Sequence, residues 1–238
     1  MKTPAEWLQG ALGYRCGDPS LLDAALTHRS AGGPNNERLE FLGDAVLNCV
    51  VARLVYREYP SAPEGELSRF RASLVSGESL AVIAAELGLG DQLKMGSGEL
   101  KSGGFRRKSI LADGFEALLG AIYLDGGFDA VAEVIERQFL PRLDRLPTAA
   151  ELKDPKTRLQ EALQARSLPL PVYAVESITG EAHNQHFLVS CRAEMLGLRA
   201  EGEGASRRGA EQEAALKVLD QLGDALKLLT KRPGESKT

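Results

Sequence analysis

The sequence has 238 residues, 43% of them hydrophobic, which is enough for one or two domains with buried cores. Its formal net charge is −4, so any nucleic-acid contact must come from local basic patches. No apolar run reaches membrane-spanning length, and the N-terminus lacks the pattern of a secretory signal. The three cysteines are widely separated, which argues against a zinc site or a disulfide framework. We therefore expect a cytoplasmic protein with no membrane partner.

Residues 1–147 are expected to form an all-helical domain. Asp18-Pro19 has the pattern of an N-cap followed by proline at the first helical position. Apolar periodicity predicts further helices over 37–59, 64–87, 109–124 and 128–143. Pro60 ends the first of these and Gly88 ends the second. Between them, residues 101–108 (KSGGFRRK) are predicted to form a basic loop.

The pattern changes after a short linker, predicted at 148–153. Residues 154–224 begin with a second Asp-Pro helix start and continue with strands predicted over 172–177, 186–193 and 196–203. A final helix begins at Ser206, and residues 225–238 are expected to form a flexible tail. The predicted fold is an all-α domain followed by a small α+β domain of order α-β-β-β-α.

The segment NERLEFLGDAVLNCV, residues 36–50, contains three acids at helical spacing. Glu37, Glu40 and Asp44 share one helix face, and apolar residues of the same spacing are predicted to lie nearly opposite. No Lys or Arg follows four residues after any of these acids. Gly43 costs about 1 kcal/mol in a helix relative to Ala, which suggests close approach of another backbone or of a ligand. A solvated acidic face is the alternative interpretation.

A second acidic pair, Asp113 and Glu116, has the same three-residue spacing in a later helix. If the two helices pack together, Glu40, Asp44, Asp113 and Glu116 could converge as four carboxylates. Crowded carboxylates repel one another, and a divalent cation removes that penalty. Oxygen ligands without His or Cys favour Mg²⁺ or Mn²⁺, and such a site suits hydrolysis of a phosphodiester.

Several motifs resemble those of the bacterial ribonuclease III family. They are NERLEFLGD (36–44), ALTHRS (25–30) and GELKSGGFRRKSILAD (98–113) with Glu116. DPKTRLQEALQ, GEAHNQHF and SRRGAEQEAA, in the second half, resemble a double-stranded-RNA-binding domain. The resemblance covers nearly the whole chain.

The resemblance implies a homodimeric, Mg²⁺-dependent endonuclease, for which Mn²⁺ substitutes, that cuts both strands of duplex RNA. The implied products have 5'-phosphates and two-nucleotide 3' overhangs. Glu40, Asp44, Asp113 and Glu116 match the metal-binding acids, and Asp44 and Glu116 are the implied catalytic residues. Glu37 and Glu64 match supporting acids near the cleft and the dimer interface. The implied role is the processing of structured ribosomal and messenger RNA precursors.

RNA contacts are expected in both halves. From the residues alone, Lys101, Arg106 and Arg107 are candidates for backbone contacts, with a solvated surface as the alternative. In the second domain, the resemblance implies RNA contacts at Thr157, Gln160, Glu161, His183, Arg207 and Arg208. That domain carries eight Lys and Arg against eleven Asp and Glu, an acidic balance that does not favour phosphate binding. A regulator that binds duplex RNA without cutting it remains the alternative function.

Overall fold

The computed structural model of the protein describes residues 3–181 and 184–230. The chain divides between Leu152 and Lys153 into two compact units. Within the described ranges, no helix is long and apolar enough to cross a membrane.

The first unit is all-helical, as predicted. Asp18 caps the second helix by accepting from the backbone amide of Ser20 at 2.8 Å, the N-cap that the Asp-Pro pair predicts. The helices are α1 (Pro4–Leu12), α2 (Pro19–Ala25), α3 (Glu37–Glu58), α4 (Glu64–Leu74), α5 (Gly77–Glu86), α6 (Ser97–Lys101) and α7 (Lys108–Leu143).

The single helix predicted over 64–87 is wrong, because the structure has two helices there, α4 and α5. Ser76 between them has extended backbone angles, and its hydroxyl accepts from the amide of Ser79. Serine is a strong N-cap, but apolar residues continue on both sides and hide the break. In α7, Gly127 has φ 79° and ψ −175°, so the helix is interrupted between residues 124 and 128, as predicted.

The core of the first unit is centred on α3 and α7. Its fully buried residues include Leu47, Val50, Leu54, Phe115, Leu118 and Ile122. Ala149 is also buried in this core and Leu152 packs against it, so the compact unit continues into the predicted 148–153 linker. The other predicted boundaries stay predictions.

The second unit has the predicted order of helix, three strands and helix. Its elements are α8 (Pro155–Gln164), β1 (Val172–Thr179), β2 (His186–Ala193), β3 (Leu198–Gly204) and α9 (Arg207–Thr230). The sheet is antiparallel in the order β1-β2-β3. Both helices bury their apolar sides against one another and the sheet, in a core that includes Leu159, Leu163, Cys191 and Val218.

Helix α9 extends through Thr230, past the predicted start of the flexible tail at residue 225. The added segment ALKLLT contains Ala, Leu and Lys, which favour helix, and the next proline is Pro233. Residues 231–238 of the predicted tail lie outside the described residues.

Candidate active site

Two glycines bring α3 and α7 into backbone contact. A Cβ atom added at Gly43 would lie 1.8 Å from the carbonyl oxygen of Glu116. One added at Gly120 would lie 2.2 Å from the carbonyl oxygen of Leu39. Real Cβ atoms do not approach so closely, so only glycine permits this crossing. Gly43 therefore marks a close backbone approach, as its cost in the helix suggests.

The crossing brings three of the four predicted metal ligands together. Glu40, Asp113 and Glu116 each offer a carboxylate oxygen, and these oxygens lie within 4.8 Å of one another. All three side chains are half-buried. Glu40 therefore lies at the edge of the buried face of α3, beside Gly43, and the prediction that the acids lie nearly opposite the apolar face is wrong for this residue.

Asp44 lies outside this group of three carboxylates. It is exposed, one turn after Glu40 on α3, and its carboxylate accepts from the side-chain amide of Asn48 at 2.8 Å. The same amide donates to the backbone carbonyl of Asp44 at 3.0 Å. Residues four apart on a helix are separated by about 5–6 Å, so Asp44 remains a near neighbour of the group.

The pKa values of these acids are raised, so nearby cations do not outweigh their burial and mutual repulsion. Burial, as the largest cause, raises the pKa of Glu116 to about 7, and the negative charges of Asp44, Asp113 and Glu40 contribute to the rise. Burial and the charge of Asp113 raise the pKa of Glu40. Burial also raises the pKa of Asp113, although nearby His28 and Arg29 oppose the rise. The group therefore favours either protons or a cation.

A cavity of about 550 Å³ lies beside Glu40 and Asp113. Basic residues also line it: Arg29, which pairs with Glu37 at 3.4 Å, and Arg107, which pairs with Glu99 at 2.9 Å. This combination of acids and cations can accommodate a phosphate and its counter-ion.

His28 also lines this cavity and begins a short 3₁₀ turn. Its Nδ1 accepts from the backbone amide of Ser30 at 3.2 Å. This contact orients the imidazole ring at the wall of the cavity.

The two predicted supporting acids lie at the first residues of separate helices. Glu37 begins α3, is exposed, and pairs with Arg29. Glu64 begins α4 and accepts from the hydroxyl of Ser68 at 2.8 Å. Neither belongs to the group of three carboxylates.

The predicted basic loop is partly helical, because α6 ends at Lys101 and a 3₁₀ turn follows over Gly104–Arg106. Lys101, Arg106 and Arg107 are exposed. The Arg106 guanidinium lies 4.8 Å from the ring centroid of Phe105. The loop thus presents cations to solvent, on the same unit as the acidic group.

In the second unit, the predicted RNA-contact residues lie on the two helices. Thr157, Gln160 and Glu161 are exposed on α8, and Glu161 pairs with Lys153 at 2.7 Å. Arg207 and Arg208 are the first two residues of α9, with 66% and 80% of their side chains exposed. The remaining predicted contact, His183, lies outside the described residues.

Two features of the molecule were not predicted from the sequence. Phe41, between Glu40 and Leu42, is 80% exposed, and its position on the acidic side of the helix was a usable signal. Lys156 and Glu211 form an ion pair between α8 and α9. A pair separated by 55 residues leaves no local pattern in the sequence.

Comparison with known proteins finds a matching family for each unit. A ribonuclease-III-like family model matches residues 18–143, and a double-stranded RNA binding motif model matches residues 155–222. Ribonuclease 3 of Alkalilimnicola ehrlichii is 58% identical over 94% of this chain and 98% of its own length. Ribonuclease 3 of Thiobacillus denitrificans is 57% identical over 90% of this chain and 95% of its own.

Solved structures give the same result for the first unit. The nuclease domain of ribonuclease III from Campylobacter jejuni aligns with a TM-score of 0.58 and 42% identity, covering 62% of this chain and all of that domain. Another structure of that domain, described for structural flexibility in a region involved in dimer formation, aligns with a TM-score of 0.54 and 44% identity, covering 57% of this chain and 98% of that domain. The chain belongs to the ribonuclease III family.

Proposed function

We propose that this chain cleaves duplex RNA at a Mg²⁺ site formed by Glu40, Asp113 and Glu116. As a member of the ribonuclease III family, it is a double-strand-specific endoribonuclease that depends on a divalent metal. The observation that supports the site is the convergence of three half-buried carboxylates without a neutralising partner among them. Proteins retain such an arrangement when a cation compensates the repulsion.

The donor set favours a hard ion. All three candidate ligands are carboxylate oxygens, which suit Mg²⁺ and Mn²⁺ better than softer metals. Mg²⁺ typically binds one or two protein carboxylates together with waters and substrate phosphates. Two of the three, Glu40 and Asp113, line an accessible cavity, which leaves room for those additional ligands.

The reaction joins a water oxygen to phosphorus and breaks the bond from phosphorus to the 3'-oxygen. A bound divalent ion would activate the water and stabilise charge on the phosphate oxygens. Glu40, Asp113 and Glu116 would hold the ion against the scissile phosphate. The proton lost by water must finally reach the leaving 3'-oxygen, so the products carry a 5'-phosphate and a 3'-hydroxyl.

Asp44 has a different proposed role from the three convergent acids. Its carboxylate accepts from Asn48 one turn beyond Glu40 and adds to the negative charge felt by Glu116, so Asp44 would support a bound ion from beside the three ligands. Glu37 and Glu64 are proposed as supporting acids, as the family resemblance implies. Lys101, Arg106 and Arg107 are proposed to contact the RNA backbone through their exposed cations.

The second unit is proposed to bind duplex RNA through both of its helices. Thr157, Gln160 and Glu161 on α8 would contact a minor groove, and Arg207 and Arg208 on α9 would contact phosphates. The start of a helix with two exposed guanidinium groups favours an anion. His183 completes the proposed contacts by its place in the sequence alone.

The protein forms homodimers like others of its family, and we propose that α3 supplies the interface. Phe41, Ala45, Cys49 and Tyr56 follow one another along one face of α3, and all are exposed. Phe41 and Tyr56 are 80% and 74% exposed. Large aromatic residues exposed on one helix face are typical of an interface with another subunit.

The three free cysteines are compatible with a reducing compartment, so we propose that the enzyme acts in the cytoplasm. There it would process structured precursors of ribosomal and messenger RNA.

A hairpin digest tests the proposed activity against the alternative of a non-cleaving regulator. The purified full chain is incubated with a long RNA hairpin in Mg²⁺, in Mn²⁺, in Ca²⁺ and in EDTA, and the ends of the products are identified. We expect 5'-phosphate products with two-nucleotide 3' overhangs in Mg²⁺ and Mn²⁺, and none in EDTA. Binding of the hairpin without cleavage in either metal would support the regulator instead.

A further inference from the structure

The N-terminal turns of α8 and α9 are joined by three polar contacts, which run in both directions. Lys156 of α8 donates to Glu211 of α9. In the opposite direction, Arg208 and Gln212 of α9 both donate to Asp154, the N-cap residue of α8. Each helix therefore supplies an acid that binds donors from the other. We name these residues, Asp154, Lys156, Arg208, Glu211 and Gln212, the interhelical brace.

Glu211 is the most buried residue of the brace. Only 10% of its side chain is exposed, and it accepts from the Nζ of Lys156 and, at 2.9 Å, from the Nε of Arg207. Burial opposes ionisation of this carboxyl, but the hydrogen bonds from the two cations hold its pKa below the usual value. A buried carboxylate with two cationic donors fixes the positions of both.

Lys156 is held from two sides. Its ammonium group lies 4.6 Å from the ring centroid of Tyr173 on β1, in addition to its contact with Glu211. Asp154 is likewise shared, because it also accepts from the backbone amide of Lys156 at 2.9 Å and so caps α8. The brace is therefore part of the folded scaffold rather than a loose surface pair.

The proposed RNA contacts begin at these same two turns. Thr157 and Gln160 are exposed just after Lys156 on α8, and Arg207 and Arg208 are the first residues of α9. Arg207 and Arg208 remain largely exposed while they contact Glu211 and Asp154, so donors on each guanidinium can still reach a phosphate. One duplex must meet both turns at once, so the distance between them affects affinity.

We propose that Asp154 and Glu211 are positioning residues for duplex RNA, which hold the first turns of α8 and α9 at the spacing that the duplex requires. This inference rests on the proposed function, in which Arg207 and Arg208 contact phosphates. It also gives two of the eleven acids in this acidic unit a role in orienting the cations that bind. Because they are paired with cations of the same surface, they add little net repulsion.

A substitution that removes the charge of Glu211 changes RNA affinity in opposite directions under this role and under simple repulsion. If Glu211 only repels phosphates, Glu211→Gln should strengthen RNA binding. If it positions Lys156 and Arg207, the same substitution should weaken binding. The matched control is Glu201→Gln on β3, which removes the same charge from an exposed acid that pairs with Arg199 at 2.9 Å.

The experiment measures binding of a fluorescent RNA duplex to the full chain in EDTA, which prevents cleavage. For Glu211→Gln we expect about tenfold weaker binding, as for the loss of one charge-assisted contact. Glu201→Gln should bind the RNA duplex with wild-type affinity or slightly more tightly. Tighter or unchanged binding by Glu211→Gln, with the domain still folded, would overturn the inference.

The variant Asp154→Asn tests the same positioning role if Glu211→Gln does not fold. Asparagine is an equally good N-cap and keeps an oxygen for Gln212, so the domain should stay folded by circular dichroism. Loss of the charge partner of Arg208 should weaken binding about threefold, and the dependence of log K on log salt should flatten by roughly one phosphate contact. Wild-type affinity with an unchanged salt slope would overturn the inference.

The double variant Arg207→Ala with Arg208→Ala distinguishes failure of this inference from failure of the proposed RNA contact. If that variant binds RNA normally, the proposed contact fails, and the inference fails with it. If it loses binding while the Asp154 and Glu211 variants bind normally, only the inference fails.

Discussion

Gly43 of α3 lies against the backbone carbonyl of Glu116 on α7, so closely that an added Cβ atom would be 1.8 Å from the oxygen. Glu40 precedes this contact by one turn on α3, and Asp113 precedes it by one turn on α7. The contact therefore determines how far apart the three carboxylates lie. A helix position that costs stability locally makes the acidic group possible.

Substitution Gly43→Ala should force the two helices apart. The nearest atoms belong to backbone, which cannot move as a flexible side chain would, so we expect a loss of stability of at least about 1–3 kcal/mol. Affinity for Mn²⁺ should fall as well, because the carboxylates separate. Denaturant unfolding and calorimetric titration of Mn²⁺ measure the two effects.

Gly77→Ala is the matched control for this substitution. Gly77 is the first residue of α5 and has no heavy atom within 4 Å of an added Cβ, so alanine there should be neutral or stabilising by up to about 1 kcal/mol. Equal stability of the two variants would show that the contact at Gly43 is not tight.

The raised pKa of Glu116 predicts a pH-dependent stability in the absence of metal. Its folded-state pKa of about 7 exceeds the ordinary glutamate value of 4.5, so between these pH values the folded state binds more protons than the unfolded state. Stability contributed by this group is therefore present below about pH 4.5 and is lost as the pH rises through 7. The loss should level off above that value.

Comparison with Glu116→Gln isolates this effect from that of other titrating groups. In EDTA, the free energies of unfolding of the two proteins should converge near pH 4.5, and the variant should become relatively more stable by pH 8. Added Mg²⁺ at pH 8 should stabilise the wild-type protein more than the Glu116→Gln variant. A constant difference between the proteins across this pH range would contradict the assignment.

Phe41, exposed on α3, is expected to contribute to the affinity between the two subunits of the dimer. Removing the Phe41 side chain by Phe41→Ala should weaken dimerisation at least about tenfold, because burial of such a ring contributes about 1.5–3 kcal/mol. Sedimentation equilibrium measures the change. Val82→Ala on α5, which truncates a side chain that is 49% exposed, should leave the dimer intact. Equal effects would place the interface elsewhere.

The arginine pair at the start of α9 predicts a change in salt dependence. Arg207→Ala with Arg208→Ala should weaken duplex binding and reduce the slope of log K against log salt by roughly two phosphate contacts. Fluorescence anisotropy over a series of KCl concentrations gives the slope. An unchanged slope would show that these guanidinium groups do not contact phosphates.

The sequence was sufficient for the order of elements because their signals are local. The Asp18-Pro19 pair predicts the start of α2, and the alternating apolar residues of β2 predict its bounds, His186–Ala193. The break at Ser76 was missed because apolar periodicity continues across it. Local patterns do not decide between one helix and two when the second begins with a single capping serine.

The candidate site was predictable in its residue types but not in its distances. Spacing placed Glu40 and Asp44 on one face of α3, and the structure brings only Glu40 to Asp113 and Glu116. Where two helices cross decides which turn meets the partner, and this depends on contacts between residues distant in sequence. The pairing of Lys156 with Glu211 cannot be predicted from the sequence for the same reason.

Cleavage by Glu116→Gln, measured beside its affinity for the same duplex, tests the proposed active site most directly. Glutamine keeps the size of the side chain and removes the charge that would hold Mg²⁺. We predict that cleavage in Mg²⁺ falls by about 10³-fold or more, while duplex affinity in EDTA stays within about twofold. Glu37→Gln, at the exposed supporting acid, should lose much less activity. Normal cleavage by Glu116→Gln, or a parallel loss of binding and cleavage, would contradict the account.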